Sequence, residues 1–109
     1  MERLRQRADF LAAAGGAKAT TAAFVLQARE RGEGGPVRVG FTVSKKVGNA
    51  VDRNRVRRRL RDIVRLADAA ALRPGHDYVL IGRRAALSLP FEQITRDFEG
   101  ALRRLRAHR

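Results

Sequence analysis

The sequence predicts an α+β fold, an α-β-β-α-β-α sandwich around a small mixed sheet. Three observations carry this. Two alternating runs, 23–29 and 37–43, flank a glycine-rich turn; the basic run Lys45–Arg65 repeats its apolar residues at helical spacing; and the apolar run 77–82 precedes a proline-led amphipathic segment. All 109 residues are read as a single domain, 1–109, long enough to bury roughly 60 to 70% of its unfolded surface.

Residues 2–14 place Leu4, Ala8 and Leu11 at i, i+4 and i+7, and Gly15-Gly16 follows where a helix stops, so a helix is expected there. Phe10 lies off that stripe and, taken alone, reads as an aromatic at the edge of the core. In AFVLQAR, Phe24 and Leu26 alternate with Val25, Gln27 and Arg29; in 37–43, Val37, Val39, Phe41 and Val43 alternate with Arg38, Gly40 and Thr42. With GEGGP between them, the two strands are expected to pair as an antiparallel hairpin. DYVLIG, at 77–82, is apolar on consecutive residues, as a central strand covered on both faces would be. Arg73-Pro74-Gly75 breaks the chain before it. The last helix begins near Pro90 and carries Phe91, Ile94, Phe98, Ala101, Leu102 and Leu105 on one stripe.

Between the second and third strands lies the most charged part of the chain. Lys45–Arg65 holds nine basic residues against two acidic ones, +7 of a total of +13. It is no disordered tail, because Val56, Leu60, Ile63, Val64 and Ala67 recur at i, i+4, i+7, i+8 and i+11. At 100° per residue, Asn54, Arg57, Arg58, Arg61 and Arg65 face away from that stripe, and Arg53, Arg55 and Arg59 lie at its margins. One helix therefore has an anchoring face and a cationic face. Asn49 is its expected N-cap, with Asp52 three residues on. Lys45 and Lys46 stand beside the helix start, where unpaired N–H groups already favour an anion.

Composition narrows the partners. A pI near 11.8 calls for a polyanion, nucleic acid or an anionic membrane surface. The membrane reading fails because the apolar stripe of the basic helix is narrow and has no large aromatic. No stretch approaches the roughly 20 apolar residues of a membrane span, and the apolar run Phe10–Ala17 is broken by Gly15 and Gly16, so the chain reads as cytoplasmic. A helix-turn-helix on DNA would need a second helix a few residues away, where this sequence has strands. There is no cysteine, and His76 and His108 lie far apart, so neither a disulfide frame nor a zinc cluster is expected. The scattered acids offer no catalytic pair for a protein nuclease.

VGFTVSKKVGNAVDRNRVRRRLRD resembles the signature of the protein subunit of bacterial ribonuclease P, with Arg53, Asn54 and Arg55 as its RNR core. The resemblance runs from Ala8-Asp9-Phe10 through Asp77-Tyr78-Val79 to the last helix. It implies a fold like domain 2 of ribosomal protein S5, with a left-handed βαβ crossover where general rules expect a right-handed one. It further implies a subunit of an endoribonuclease whose RNA, using Mg2+, removes the 5′ leader of precursor tRNA. On that view the polypeptide has no catalytic residue, metal or cofactor of its own.

Two RNA surfaces follow from the resemblance. Lys45, Lys46, Arg53, Asn54, Arg55, Arg57, Arg58, Arg59, Arg61 and Arg65 match the segment that binds the catalytic RNA. Phe10 matches a cleft aromatic that contacts the leader, with Val25 and Gln27 on the strand lining the same cleft. Ala14 stands where other members often carry a further aromatic, and Gln27 replaces an aromatic seen in some. The competing reading is a ribosomal or other structured-RNA-binding protein, against which the SKK, GNA and RNR spacing decides.

Overall fold

The apolar runs assemble into one five-stranded sheet with two helices on one face and a third on the other. The computed structural model describes residues 1–32, 34–67 and 71–107. In chain order the elements are β1 (Glu2–Arg3), α1 (Arg7–Ala14), β2 (Ala17–Thr20), β3 (Phe24–Glu30), β4 (Arg38–Thr42), α2 (Ala50–Leu66), β5 (His76–Gly82) and α3 (Phe91–Ala107). Short 3-10 turns lie at Lys45–Val47 and Arg84–Leu87. The strand order is β1-β4-β5-β3-β2. β4 is parallel to β1 and β5, whereas β3 is antiparallel to β5 and β2.

DYVLIG takes the middle of the sheet, as its unbroken apolar run requires, and this overturns the expected hairpin. β5 lies between β3 and β4, which do not touch edge to edge. A strand buried on both faces gains most where both of its edges are also paired. The loop from β3 to β4 therefore crosses the start of β5, fastened by Arg31 N to Gly75 O at 2.9 Å and Gly75 N to Gly35 O at 2.8 Å. The hairpin that does form joins β2 to β3 through a turn closed by the Thr21 hydroxyl on Phe24 O. β2, the alanine-rich AKAT, has little strand propensity of its own and forms on the edge that β3 offers.

The first helix also differs from expectation. Only Arg7–Ala14 is helical, while Glu2–Arg3 adds a strand to β4 through Glu2 N to Val37 O and Leu4 N to Val39 O. An open sheet edge thus competes successfully with a weak helical preference. The predicted stripe breaks accordingly: Leu4 is buried, Ala8 is exposed and Leu11 is 60% exposed. It is Ala13, with Phe10 beside it, that packs under α1 against Leu4, Val79 and Ile81.

The other face holds the main core. Val56, Leu60, Ile63 and Val64 of α2 and Ile94, Phe98, Ala101 and Leu102 of α3 pack on Phe24, Leu26, Val39 and Leu80 of the sheet. Phe24 and Phe98 meet edge to face at 6.1 Å. Gly82 permits the close approach of α2, since a Cβ there would lie 2.6 Å from Val56 Cγ1.

One buried charge holds the sheet's end together. Register places Asp77 of β5 between Arg38 of β4 and Arg29 of β3. Asp77 is fully buried and accepts from Arg31 Nη1 at 2.6 Å, Arg38 Nε at 2.8 Å and Arg38 Nη2 at 2.7 Å. Burial alone would push its carboxyl up, but the hydrogen bonds and charges of Arg38 and Arg31 outweigh this and hold it below the usual carboxylate range. Arg38 is held charged in turn, chiefly by its hydrogen bond to Asp77, and also reaches Asp9 of α1 at 3.3 Å.

Candidate nucleic-acid interface

The cationic helix is built as its sequence indicates. Asn49 Oδ1 accepts from Asp52 N at 2.9 Å, and the Asp52 carboxylate accepts from Asn49 N at 3.2 Å, a reciprocal cap worth about 1 kcal/mol. This cap changes the reading of Lys45 and Lys46. Both are exposed beside the helix start, but two of its N–H donors are already taken and Asp52 adds a negative charge there. An anion at this end would rest on the two lysines more than on the helix backbone.

Along α2, Val56, Leu60, Ile63 and Val64 are at most 3% exposed, which turns the opposite side outward. The eight polar residues proposed for that side then fall into two groups. Arg53 donates to Gly48 O at 2.9 Å, and Arg59 donates to Leu87 O at 3.1 Å and Leu89 O at 2.7 Å. These two fasten the helix to its surroundings. Arg57 donates to Asn54 Oδ1 at 3.0 Å, and Arg65 lies 3.5 Å from Asp62, both exposed interactions of small energy. Arg55, Arg58 and Arg61 are exposed and have no hydrogen-bond or ion-pair partner among the described residues. Sequence spacing could not separate the two groups, because the carbonyls that occupy Arg59 belong to a turn nearly 30 residues away.

The second predicted surface is on the α1 face of the sheet. Register aligns Gly40, Val79, Gln27 and Lys18 in one row, and Thr42, Ile81, Val25 and Thr20 in the next. The half-buried ring of Phe10 lies directly on Gly40, where a Cβ would come within 2.6 Å of it. The structure thus brings Phe10, Val25 and Gln27 onto one face. Gln27 is only 6% exposed, whereas Val25 and Ile81 are half-buried and Thr42 and Thr20 are open. A strand of RNA on this face would meet the Val25 row first. That Ile81 and Thr42 share a row with Val25 is visible only through pairing across β5, which sequence spacing does not show.

Among the described residues no group of three or more His, Cys, Asp or Glu comes together to hold a metal ion, and no helix is long and apolar enough to cross a membrane.

The comparisons agree with the resemblance carried by the motif. Residues 1–106 match the family model described as Ribonuclease P. The chain is 51% identical over 107 residues to the ribonuclease P protein component of Ruegeria pomeroyi, covering 95% of this chain and 86% of that protein. It is 47% identical over 103 residues to that of Gluconacetobacter diazotrophicus, covering 94% and 89%. Among solved structures, the RNase P protein of Staphylococcus aureus superposes with a TM-score of 0.78 at 30% identity, covering 94% of each chain. That of Thermotoga maritima gives 0.76 at 29% identity, covering 100% and 99%.

Proposed function

The chain belongs to the ribonuclease P protein family, and on that premise we propose a division of labour between the two faces of its sheet. Membership makes it the RNA-binding protein component of the ribonucleoprotein that cleaves the 5′ leader from precursor tRNA. In our reading, the outer side of α2, with Lys45 and Lys46 at its start, seats the catalytic RNA, and the open row beside Phe10 guides the leader. What supports this most is the set of exposed arginines on α2, Arg55, Arg58 and Arg61, without a partner among the described residues and held in place by a packed apolar stripe and a closed cap.

The chemistry of that surface suits a phosphate backbone. Each guanidinium that neutralises a phosphate releases counterions, so affinity comes from charge and is lost in salt. The α1 face suits a different ligand. It carries one aromatic ring and an apolar strip of Val25 and Ile81, and can take unpaired bases by stacking in a sequence-tolerant way. In this reading Mg2+ serves the RNA rather than the polypeptide, and the holoenzyme works in the cytoplasm.

Reconstitution tests the assignment. The protein mixed with its cognate RNA subunit should restore precursor-tRNA cleavage at low magnesium, and the protein alone should not cleave. Protein-only turnover that persists after removal of contaminating RNA would sink this reading. The leader surface has its own test in Phe10→Ala. Affinity of the holoenzyme for precursor tRNA should fall about 5- to 30-fold, equivalent to roughly 1 to 2 kcal/mol of lost stacking, with mature tRNA little changed. Equal losses for both tRNAs would return Phe10 to a packing role over Gly40.

A further inference from the structure

We propose that the groove between the β1–β4 edge and the C-terminal half of α2 receives an unpaired base of the catalytic RNA, with Phe41 as its stacking surface. The proposal rests on the reading of α2 as the seat of that RNA and adds a base-recognising element to it. The groove has a volume of about 280 Å3 and continues past Met1, Val64 and Arg65 into a neighbouring hollow of about 240 Å3. Its floor is core: Val39 and Val64 are each 3% exposed. Phe41 is half-buried, and the reason lies in the sheet. β1 pairs only with Arg38 and Val39, so β4 loses its outer neighbour before Phe41 is reached. The ring is left at an uncovered edge, on the face where α2 packs.

The rim decides the occupant. Arg3, Arg61 and Arg65 stand around this apolar floor, with Glu2 as the acidic residue of the lining. An apolar peptide would leave those guanidinium groups unmatched. A second copy would bring a charge of +13 against +13. A nucleobase satisfies both features, because its flat face stacks on an aromatic ring or a guanidinium plane while the flanking phosphates meet arginines. Arg61 and Arg65 belong at once to the groove and to the cationic side of α2, so RNA lying on the helix would pass this opening. The leader surface is on the opposite face of the sheet, which assigns the base to the catalytic RNA.

The chain has no tryptophan, so Phe41→Trp places a single fluorescent reporter in the groove. Titration with the RNA subunit alone should quench it along the same curve that a gel shift gives for binding. Phe41→Leu, which keeps an apolar side chain at the edge, should bind the RNA subunit about 5- to 10-fold more weakly, with its melting temperature nearly kept and its salt dependence unchanged. RNA binding without quenching, together with unaltered affinity of Phe41→Leu, overturns the proposal and leaves the α2 reading standing. Failure of the unaltered protein to bind the RNA overturns both. Quenching that requires precursor tRNA, or that follows protein concentration without RNA, assigns the groove to the leader or to self-association and equally overturns it.

Discussion

Near Asp77, the side chain of Arg31 is 6% exposed and donates to Asp77 Oδ1 at 2.6 Å and to three backbone carbonyls, of Gly34, Pro36 and His76. On α2, Arg61 is exposed and has no partner among the described residues. The residue type is the same and the circumstances are opposite. A guanidinium taken out of water must have its charge and donors satisfied, and then its loss is expensive. One left in water contributes little to the fold and keeps its charge for a ligand. The basic residues behind the net +13 therefore divide between two roles: arginines at one end of the sheet close the structure, and the exposed arginines of α2 keep their charge in water.

The sharpest way to break the structural set is Asp77→Asn. It leaves Arg31 and Arg38 facing each other without the carboxylate between them, and stability should fall by about 3 to 5 kcal/mol, as when one partner of a buried pair is removed. Denaturant melting reads this directly. A loss below about 1 kcal/mol would mean that water reaches the cluster and screens it.

The same carboxylate predicts an acid response. Its folded-state pKa lies below the ordinary value of about 3.9. The stabilisation is therefore fully present above that value and is lost as pH falls through the lower, folded one. Melting temperature should decline steeply below about pH 4 in the unaltered protein. Asp77→Asn lacks this share of the decline, so the gap between the two proteins should narrow in acid.

Arg59→Ala probes the boundary between the sets. Arg59 lies on α2 but is occupied by the carbonyls of Leu87 and Leu89, so its loss should cost about 1 to 2 kcal/mol of stability. The salt dependence of RNA binding should barely move. The reverse outcome would transfer Arg59 to the binding set.

The smallest effect on stability belongs to Arg58→Ala with Arg61→Ala, which should stay within about 0.5 kcal/mol. Here the salt titration carries the signal: the log-log slope for the RNA subunit should shrink by about 1 to 2, from about 0.7 to 0.9 per phosphate contact. An unaltered slope would show that this side of α2 faces solvent in the complex.

Much of the architecture was legible because it is written locally. A 3.6-residue apolar period determines which side of α2 and α3 is buried whatever they pack against, and Asn49 with Asp52 marks a helix start through contacts three residues apart. The RNR and SKK spacing identified the family on the same local evidence. DYVLIG even announced a central strand, and the hairpin between 23–29 and 37–43 was wrong because that announcement was not carried through: a strand needing two paired edges has to come between two others.

Local pattern thus settled the buried and outward sides of α2 and α3, the cap, the position of the central strand and the concentration of charge on α2. Long-range packing settled which strands share edges, that Glu2–Arg3 leaves the first helix for the sheet, and which α2 arginines have no partner among the described residues. These depend on partners distant in sequence. Asp77 meets Arg38 through strand pairing, Arg59 meets Leu87 and Leu89 through helix docking, and Phe41 is left open because β1 is two residues long. Periodicity records how one segment divides between apolar and polar surroundings, and it holds no information about which distant carbonyl, carboxylate or strand edge will complete those surroundings.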